Sequence, residues 1–233
     1  MQSEAIILIP TLNERKNLEK LIPAIFDLML DISVLIVDDN SSDGTGELIK
    51  NFQNSYKNLH FLERTSDFGY GKACIDGFTY LEAQLLSKRY IITMDADFSH
   101  DFRMIPEMLK KLENNDVVIG SRYVTGGRIE NWKWHRKILS RLANFYVRAI
   151  LQLPIKDATT GFNAYRKEAL LKSEFNSIKS NGYAFLVELK YKLVKSGVKI
   201  VEYPIIFSER REGQSKMSGK IIWESILLPW KLK

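Results

Sequence analysis

A chain of 233 residues, 45% of them hydrophobic, is long enough for one sizeable packed domain and too apolar for a disordered segment. Its one cysteine, Cys74, excludes an internal disulfide framework, no N-terminal run has the length of a signal peptide, and no apolar stretch reaches the roughly 18 residues of a spanning helix. The net charge of +6 points to phosphorylated small molecules or an anionic membrane rather than nucleic acid, because the basic residues form no tail, zinc-finger spacing or helix-turn-helix pattern.

The first half alternates two kinds of segment. Residues 5–9, 34–37, 58–62, 90–94 and 117–119 are short and β-branched, bounded by turn residues, and predict buried strands. Between them, residues 15–30, 43–52, 70–86 and 103–113 carry apolar residues at helical spacing, as in Leu18, Leu21, Ile22 and Ile25. Ser42, Asp43, Gly44 and Thr45 supply capping residues for the second helix. The alternation predicts an α/β fold with a mostly parallel sheet flanked by helices, in which ligands bind beyond the carboxyl ends of the strands. The second half predicts helices over 134–153 and 181–195, a strand over 198–203, a polar, basic loop over 208–218 and an amphipathic helix over 221–230. No repeat or linker interrupts the chain, so a single domain spanning 1–233 is expected.

Three polar clusters fall at predicted strand ends. Pro10-Thr11-Leu12-Asn13-Glu14 ends the first strand, Asp38-Asp39 ends the second, and Asp95-Ala96-Asp97 ends the fourth. Taken alone, Asp95-Ala96-Asp97 reads either as a solvated turn or as a pair of hard oxygen ligands for Mg²⁺ or Mn²⁺ bridging a diphosphate. Three such ends on one sheet converge on one crevice, which favours the second reading. On the far side, Arg136 and Ser140 are four apart on a predicted helix and share a face suited to phosphate, while Arg122 follows a strand end. Cys74 sits in a helical pattern and reads as a small core residue. His100 lies near the acidic pair without metal-ligand spacing, and Lys72, in a glycine-rich turn, fits either a phosphate contact or a structural turn.

The order Ile9-Pro10-Thr11-Leu12-Asn13-Glu14, Val37-Asp38-Asp39-Asn40-Ser41-Ser42-Asp43-Gly44-Thr45 and Met94-Asp95-Ala96-Asp97 resembles glycosyltransferase family 2. Gly120-Ser121-Arg122-Tyr123, Gly161-Phe162-Asn163-Ala164 and Arg210-Arg211-Glu212-Gly213-Gln214-Ser215-Lys216 extend the resemblance along essentially the whole chain, toward the dolichol-phosphate mannosyltransferase branch. The resemblance implies the Rossmann-like GT-A fold, a nucleotide-sugar-binding half (1–123), an acceptor half with a lid loop (124–218) and an interfacial helix (219–233). It implies that Pro10, Thr11, Glu14, Val37, Asp38 and Asp39 serve the nucleotide, with Asp39 on the base. Asp95, Ala96 and Asp97 would meet the metal and donor diphosphate, Arg210 and Lys216 would close over that diphosphate, and Arg122, Arg136 and Ser140 would meet the acceptor phosphate. The branch often has Gln two residues after the second Asp; Ser99 stands here as a shorter, weaker ligand.

The activity so implied is inverting transfer of mannose from GDP-mannose to a polyprenyl (dolichyl) phosphate. UDP-glucose or another donor, or a sugar-hydroxyl acceptor, is the alternative. A hydroxyl acceptor would need a base, and the turn at Asp157 is where one is expected. A nucleotidyltransferase would carry a glycine-rich basic loop in place of Thr11-Leu12-Asn13-Glu14. A lipid acceptor implies a protein on the cytosolic face of a membrane, with room for small membrane-protein subunits. Trp223, Ile226, Leu227 and Trp230 share a helical face bordered by Lys220, Lys231 and Lys233, which suits either core packing or the bilayer interface.

Overall fold

The computed structural model describes residues 4–28, 31–84, 87–209 and 219–233. Its centre is a seven-stranded sheet in the order β3-β2-β1-β4-β7-β5-β8. The strands are β1 (Ala5–Thr11), β2 (Ile32–Asp38), β3 (Leu59–Glu63), β4 (Tyr90–Thr93), β5 (Val117–Ser121), β7 (Asn163–Arg166) and β8 (Ile200–Pro204). Only β7 runs antiparallel to its neighbours. A separate two-stranded sheet pairs β6 (Arg128–Ile129) with β9 (Ile206–Phe207) in parallel.

The helices are α1 (Arg15–Phe26), α2 (Thr45–Ser55), α3 (Tyr70–Gln84), α4 (Ile105–Lys111), α5 (Trp134–Leu151), α6 (Lys167–Lys172), α7 (Gly182–Lys195) and α8 (Gly219–Leu232). Strand alternation divides the apolar residues between two cores. Ile6, Leu8, Leu35 and Val37 face α3, α5 and α7, whereas Ile7, Ile9, Val34 and Ile36 face α1, α2 and α4. Burial on both faces is why β1 and β2 read as unbroken apolar runs.

The expected α/β architecture is present, with differences at short elements. β7 and α6 were not expected; four and six residues leave too little periodicity to register. The expected first helix stops at Phe26, and α4 begins only after a 3₁₀ turn at Phe102–Met104. Asp43 lies before α2, whose N-cap is Gly44, and its carboxylate accepts from the Thr45 N–H at 3.0 Å and hydroxyl at 2.6 Å. The expected loop over 208–218, with Arg210 and Lys216, lies almost wholly outside the described residues.

The close seating of α3 on β1 and β2 depends on Gly77. A Cβ there would come within 2.4 Å of Leu8 Cδ1 and 3.1 Å of Val37 Cγ2. Gly77→Ala is expected to destabilise the protein by about 1–3 kcal/mol through overpacking, despite alanine's better helix propensity, read from a shifted urea midpoint. An unchanged midpoint would mean that this helix–sheet contact is loose.

Candidate active site

Because β2, β1 and β4 are parallel neighbours, their carboxyl ends open on one crevice. Thr11 pairs with Asp38 in register, the Asp39 N–H donates to Thr11 O at 2.9 Å, and the Met94 N–H donates to Leu8 O at 3.2 Å. The structure therefore brings together the three polar clusters expected from sequence. Pro10 is half-buried and Thr11 buried at the end of β1, while Glu14 accepts from Asn17 Nδ2 at 2.7 Å. Asn13 and Asn40 adopt left-handed φ of 56° and 57°, and the two loops interlock: Asn13 N–H donates to Ser41 Oγ at 2.7 Å and Ser42 N–H to Asn13 Oδ1 at 2.9 Å. Asp38 accepts from both the N–H and hydroxyl of Ser41, which makes it a buttress of this turn. Asp39 accepts from Arg64 and from the Gly69 N–H. Val37, assigned to the nucleotide, has its side chain fully buried under α3, so its part in the crevice is confined to backbone.

Asp95 and Asp97 stand on the loop after β4. Phe98, immediately following, has φ of 61°, a strained conformation for an aromatic residue that turns the chain back sharply. The Ser99 N–H donates to Asp97 Oδ1 at 3.0 Å, while the buried Ser99 hydroxyl has no hydrogen-bond partner among the described residues. Two carboxylates and an unsatisfied buried hydroxyl are hard oxygen donors of the kind that Mg²⁺ or Mn²⁺ takes. Among the described residues no three or more His, Cys, Asp or Glu side chains form a closed metal cage. His100 is buried behind the pair, its Nδ1 accepting from the Asp95 N–H at 3.1 Å. Burial, opposed by the Asp97 charge, takes its pKa down to about 4, so at neutral pH it is an uncharged prop. Ala96 is buried. A Cβ on Gly161 would approach Tyr70 Oη to 2.7 Å and Asp95 Oδ1 to 3.4 Å; glycine lets that loop lie against the carboxylate.

Two of the residues expected to meet an acceptor phosphate, Arg122 and Arg136, gather around Phe207 and Trp132. The guanidinium carbons of Arg122 and Arg136 lie 5.3 Å from the Phe207 ring centroid and 3.8 Å from that of Trp132, and the Trp132 and Phe207 rings meet edge-on. Phe207 in turn packs on His100. Ser140 Oγ accepts from the Tyr123 hydroxyl at 2.7 Å, and Arg136 Nη1 is 3.4 Å from Glu209. Arg122 is held by buried Asp157: Nε and Nη2 each donate to its carboxylate at 2.7 Å, and the Arg122 N–H at 3.1 Å. Burial alone would raise the Asp157 pKa, but Arg122's charge and hydrogen bonds, with Lys190 behind, hold it below the usual carboxylate range. Asp157 is therefore not the general base expected for an alcohol acceptor. Lys72 pairs with Asp67 at 3.1 Å. Sequence reasoning missed Arg64, Gly69 and Lys190. Arg64 alone left a signal, as a charged residue two places after the predicted strand over 58–62. Arg210 and Lys216 are among the residues not described.

The chain matches the model of Glycosyl transferase family 2 over residues 6–173. It is 39% identical over 225 residues to a polyprenol monophosphomannose synthase of Mycolicibacterium smegmatis, covering 95% of this chain and 83% of that one. It is 38% identical to an undecaprenyl-phosphate mannosyltransferase of Micrococcus luteus over 95% of this chain and 90% of that one. A dolichol-phosphate mannosyltransferase of Pyrococcus furiosus is 36% identical over 97% of this chain and 64% of that one. Glucosyl-3-phosphoglycerate synthase from Mycobacterium tuberculosis, solved with Mn²⁺, uridine diphosphate and phosphoglyceric acid, has a TM-score of 0.73. That match covers 99% of this chain and 78% of the other at 15% identity, and is a likeness of fold, GT-A.

Lys190 offers a check on this buried network. Its Nζ donates to Thr160 O at 2.7 Å, and burial, opposed by Asp157, lowers its pKa from 10.5 to about 7. Between those values the unfolded chain binds a proton that the folded chain releases, so the cost of burying Lys190 is full below about pH 7 and vanishes above about 10.5. Wild type should therefore gain stability relative to Lys190→Met as pH rises through that window, seen in paired urea melts. A pH-independent difference would mean that Lys190 stays a cation throughout.

Proposed function

The chain belongs to glycosyl transferase family 2, and from that premise we propose that it transfers mannose from GDP-mannose to a polyprenyl phosphate with inversion at the anomeric carbon. The observation that carries the choice of acceptor is the commitment of Asp157 to Arg122. A phosphate monoester has a second pKa near 6 and is already an anionic nucleophile at neutral pH. It needs cationic positioning groups, which Arg136 and the Arg122 wall supply, and no strong base. The names of the relatives support mannose and the lipid phosphate.

In the proposed step a phosphate oxygen of the acceptor attacks C1 of the sugar as the bond from C1 to the donor diphosphate breaks. Arg136 and Ser140 orient the acceptor; Asp39, Pro10, Thr11 and Glu14 border the nucleotide. Asp95 and Asp97, with Ser99 beside them, would hold Mg²⁺ or Mn²⁺, which when bound neutralises charge on the leaving diphosphate. Arg210 and Lys216 are assigned the same task by their place in the family motif. The test is a panel of radiolabelled nucleotide sugars incubated with polyprenyl phosphate, counting label in the organic phase. GDP-mannose should label it best, chelator should abolish the signal, and Asp97→Ala should lower turnover by orders of magnitude without unfolding. Equal labelling in chelator, or preferential labelling from UDP-glucose, would overturn the corresponding part of the proposal.

The acceptor implies a membrane surface, and α5 and α8 present a face for it. Trp230 Nε1–H donates to Tyr146 Oη at 2.9 Å and the Tyr146 hydroxyl to Ile226 O at 2.7 Å, so the helices lie side by side. Trp134, Ile138, Leu139, Leu142 and Phe145 line the exposed side of α5, with Trp134 74% and Leu139 68% exposed; Ile226, Leu227 and Trp230 continue the surface. Leu228 packs into the core, and the side chain of Trp223 lies outside what is described. Among the described residues no helix is long and apolar enough to cross a membrane. Exposed aromatic and aliphatic residues with Lys133, Lys137 and Lys231 nearby suit the bilayer interface. Leu139→Glu with Leu142→Glu should leave the melting temperature unchanged and abolish co-sedimentation with phospholipid vesicles. Undiminished sedimentation would locate the contact elsewhere.

A further inference from the structure

Between α5 and the loop following β5 lies a cavity of about 470 Å³. Its wall includes Arg141, Phe145, Arg148, Thr125, Lys156 and Arg122, and no aspartate or glutamate. Arg122 is balanced by Asp157. Arg141, Arg148 and Lys156 make no ion pair among the described residues. The Arg148 Nε–H is also buried without a hydrogen-bond partner among them. A buried donor left unsatisfied is unfavourable, and three cations around one recess repel each other unless an anion joins them. Tetrahedral phosphate oxygens match both needs, because guanidinium groups bind them through charge-assisted hydrogen bonds.

We propose that this cavity takes the phosphate of an anionic phospholipid headgroup, at a site that adjoins the one proposed for the acceptor and shares only the Arg122–Tyr123 wall with it. The assignment to a lipid rests on the membrane-facing reading of α5 and α8. Phe145, 67% exposed, belongs both to the cavity wall and to the exposed apolar side of α5, so an occupant's phosphate and its acyl chains meet complementary surfaces at one place. Arg122 and Tyr123 border both this cavity and the residues assigned to the acceptor, but neither Arg136 nor Ser140 lines it. The site would fix the rotation of the protein on an anionic leaflet, where headgroup phosphates lie at the depth of the interface.

The experiment uses soluble probes, so that delocalised attraction to a charged bilayer plays no part. Monomeric dihexanoyl phosphatidylglycerol, dihexanoyl phosphatidylcholine and inorganic phosphate are titrated calorimetrically into wild type, Arg148→Gln, Lys156→Gln and a Lys133→Gln/Lys137→Gln control. Phosphatidylglycerol should bind at least tenfold more tightly than the other two probes. Each cavity substitution should weaken it at least tenfold, and the control should not. Lys156 is exposed, so its variant remains informative if Arg148→Gln misfolds. Transfer to polyprenyl phosphate in neutral detergent should keep the same KM in Lys156→Gln. Absent phosphatidylglycerol binding, or an equal loss in the control, overturns the site. Inorganic phosphate binding as tightly as the lipid overturns the headgroup assignment, and a parallel rise in acceptor KM would return the cavity to the acceptor. Loss of vesicle sedimentation in the apolar-face variant bears only on the membrane reading, because these titrations contain no bilayer.

Discussion

The crevice depends on one buried carboxylate. Asp157 is fully buried and accepts three hydrogen bonds from Arg122, while its own N–H and that of Lys156 donate to Glu202. A desolvated ion pair survives only where hydrogen bonds answer its charges, and removing one partner costs about 3–5 kcal/mol. The pair joins the end of β5 to the turn that leads into β7. That turn carries Thr160 to Lys190 and Gly161 to the Thr93 hydroxyl, which donates to Gly161 O at 2.7 Å. Gly161 in turn abuts Asp95. A chain of contacts thus runs from the Arg122–Asp157 pair to Asp95.

The two sides are chemically unlike. The side proposed for the donor is a set of oxygen-bearing loops at parallel strand ends, where Asp38, Asp39 and Asp97 are buried and Asp95 is partly exposed. The acceptor side is aromatic and basic: Arg122 and Arg136 lie against Tyr123, Trp132 and Phe207. The rings hold the guanidinium groups in orientation, Arg122 being balanced by Asp157 and Arg136 lying 3.4 Å from the half-exposed Glu209. His100, uncharged and wedged between Phe162 and Phe207, separates the two environments. Such a partition suits the proposed reaction between two phosphate-bearing partners, one met by a metal that Asp95 and Asp97 would hold and the other by guanidinium groups.

The donor side was largely legible in the sequence, and for a physical reason. Buried parallel strands are continuous apolar runs, so the polar residues that end them stand out, and parallel topology carries Thr11, Asp39 and Asp95 to one edge. The acceptor side was less so. β7 is four residues long, and its insertion between β4 and β5 is a tertiary event with no local periodicity. The partnership of Asp157 with Arg122 spans 35 positions, so a turn aspartate that looked like a base proved to be a structural anion. Arg64 reaches Asp39 across 25 positions, again beyond any local pattern. Periodicity also marks a helix face as apolar without saying what covers it. α5 buries Val147 and Leu151 and exposes Leu139 and Leu142, and the sequence alone does not separate the two faces.

That double use of α5 links the membrane to the chemistry. The helix carries Arg136 and Ser140 near its start, beside the Phe207 cluster, and Phe145 farther along its exposed side. Nine residues of helix separate Arg136 from Phe145, or about 13 Å of rise. A rigid helix therefore holds the guanidinium proposed to bind the acceptor beside an apolar surface, Trp134 to Phe145, that is proposed to rest on the bilayer. A lipid phosphate sits at the interface because its chain is anchored in the hydrocarbon and its charge in water. An enzyme for such a substrate need not extract it; it needs a cation held at interface depth, with the sugar donor approaching from the aqueous side. On the proposed reading, α5 sets that depth, the Arg122–Asp157 pair fixes the crevice behind it, and the parallel strand ends hold the donor above.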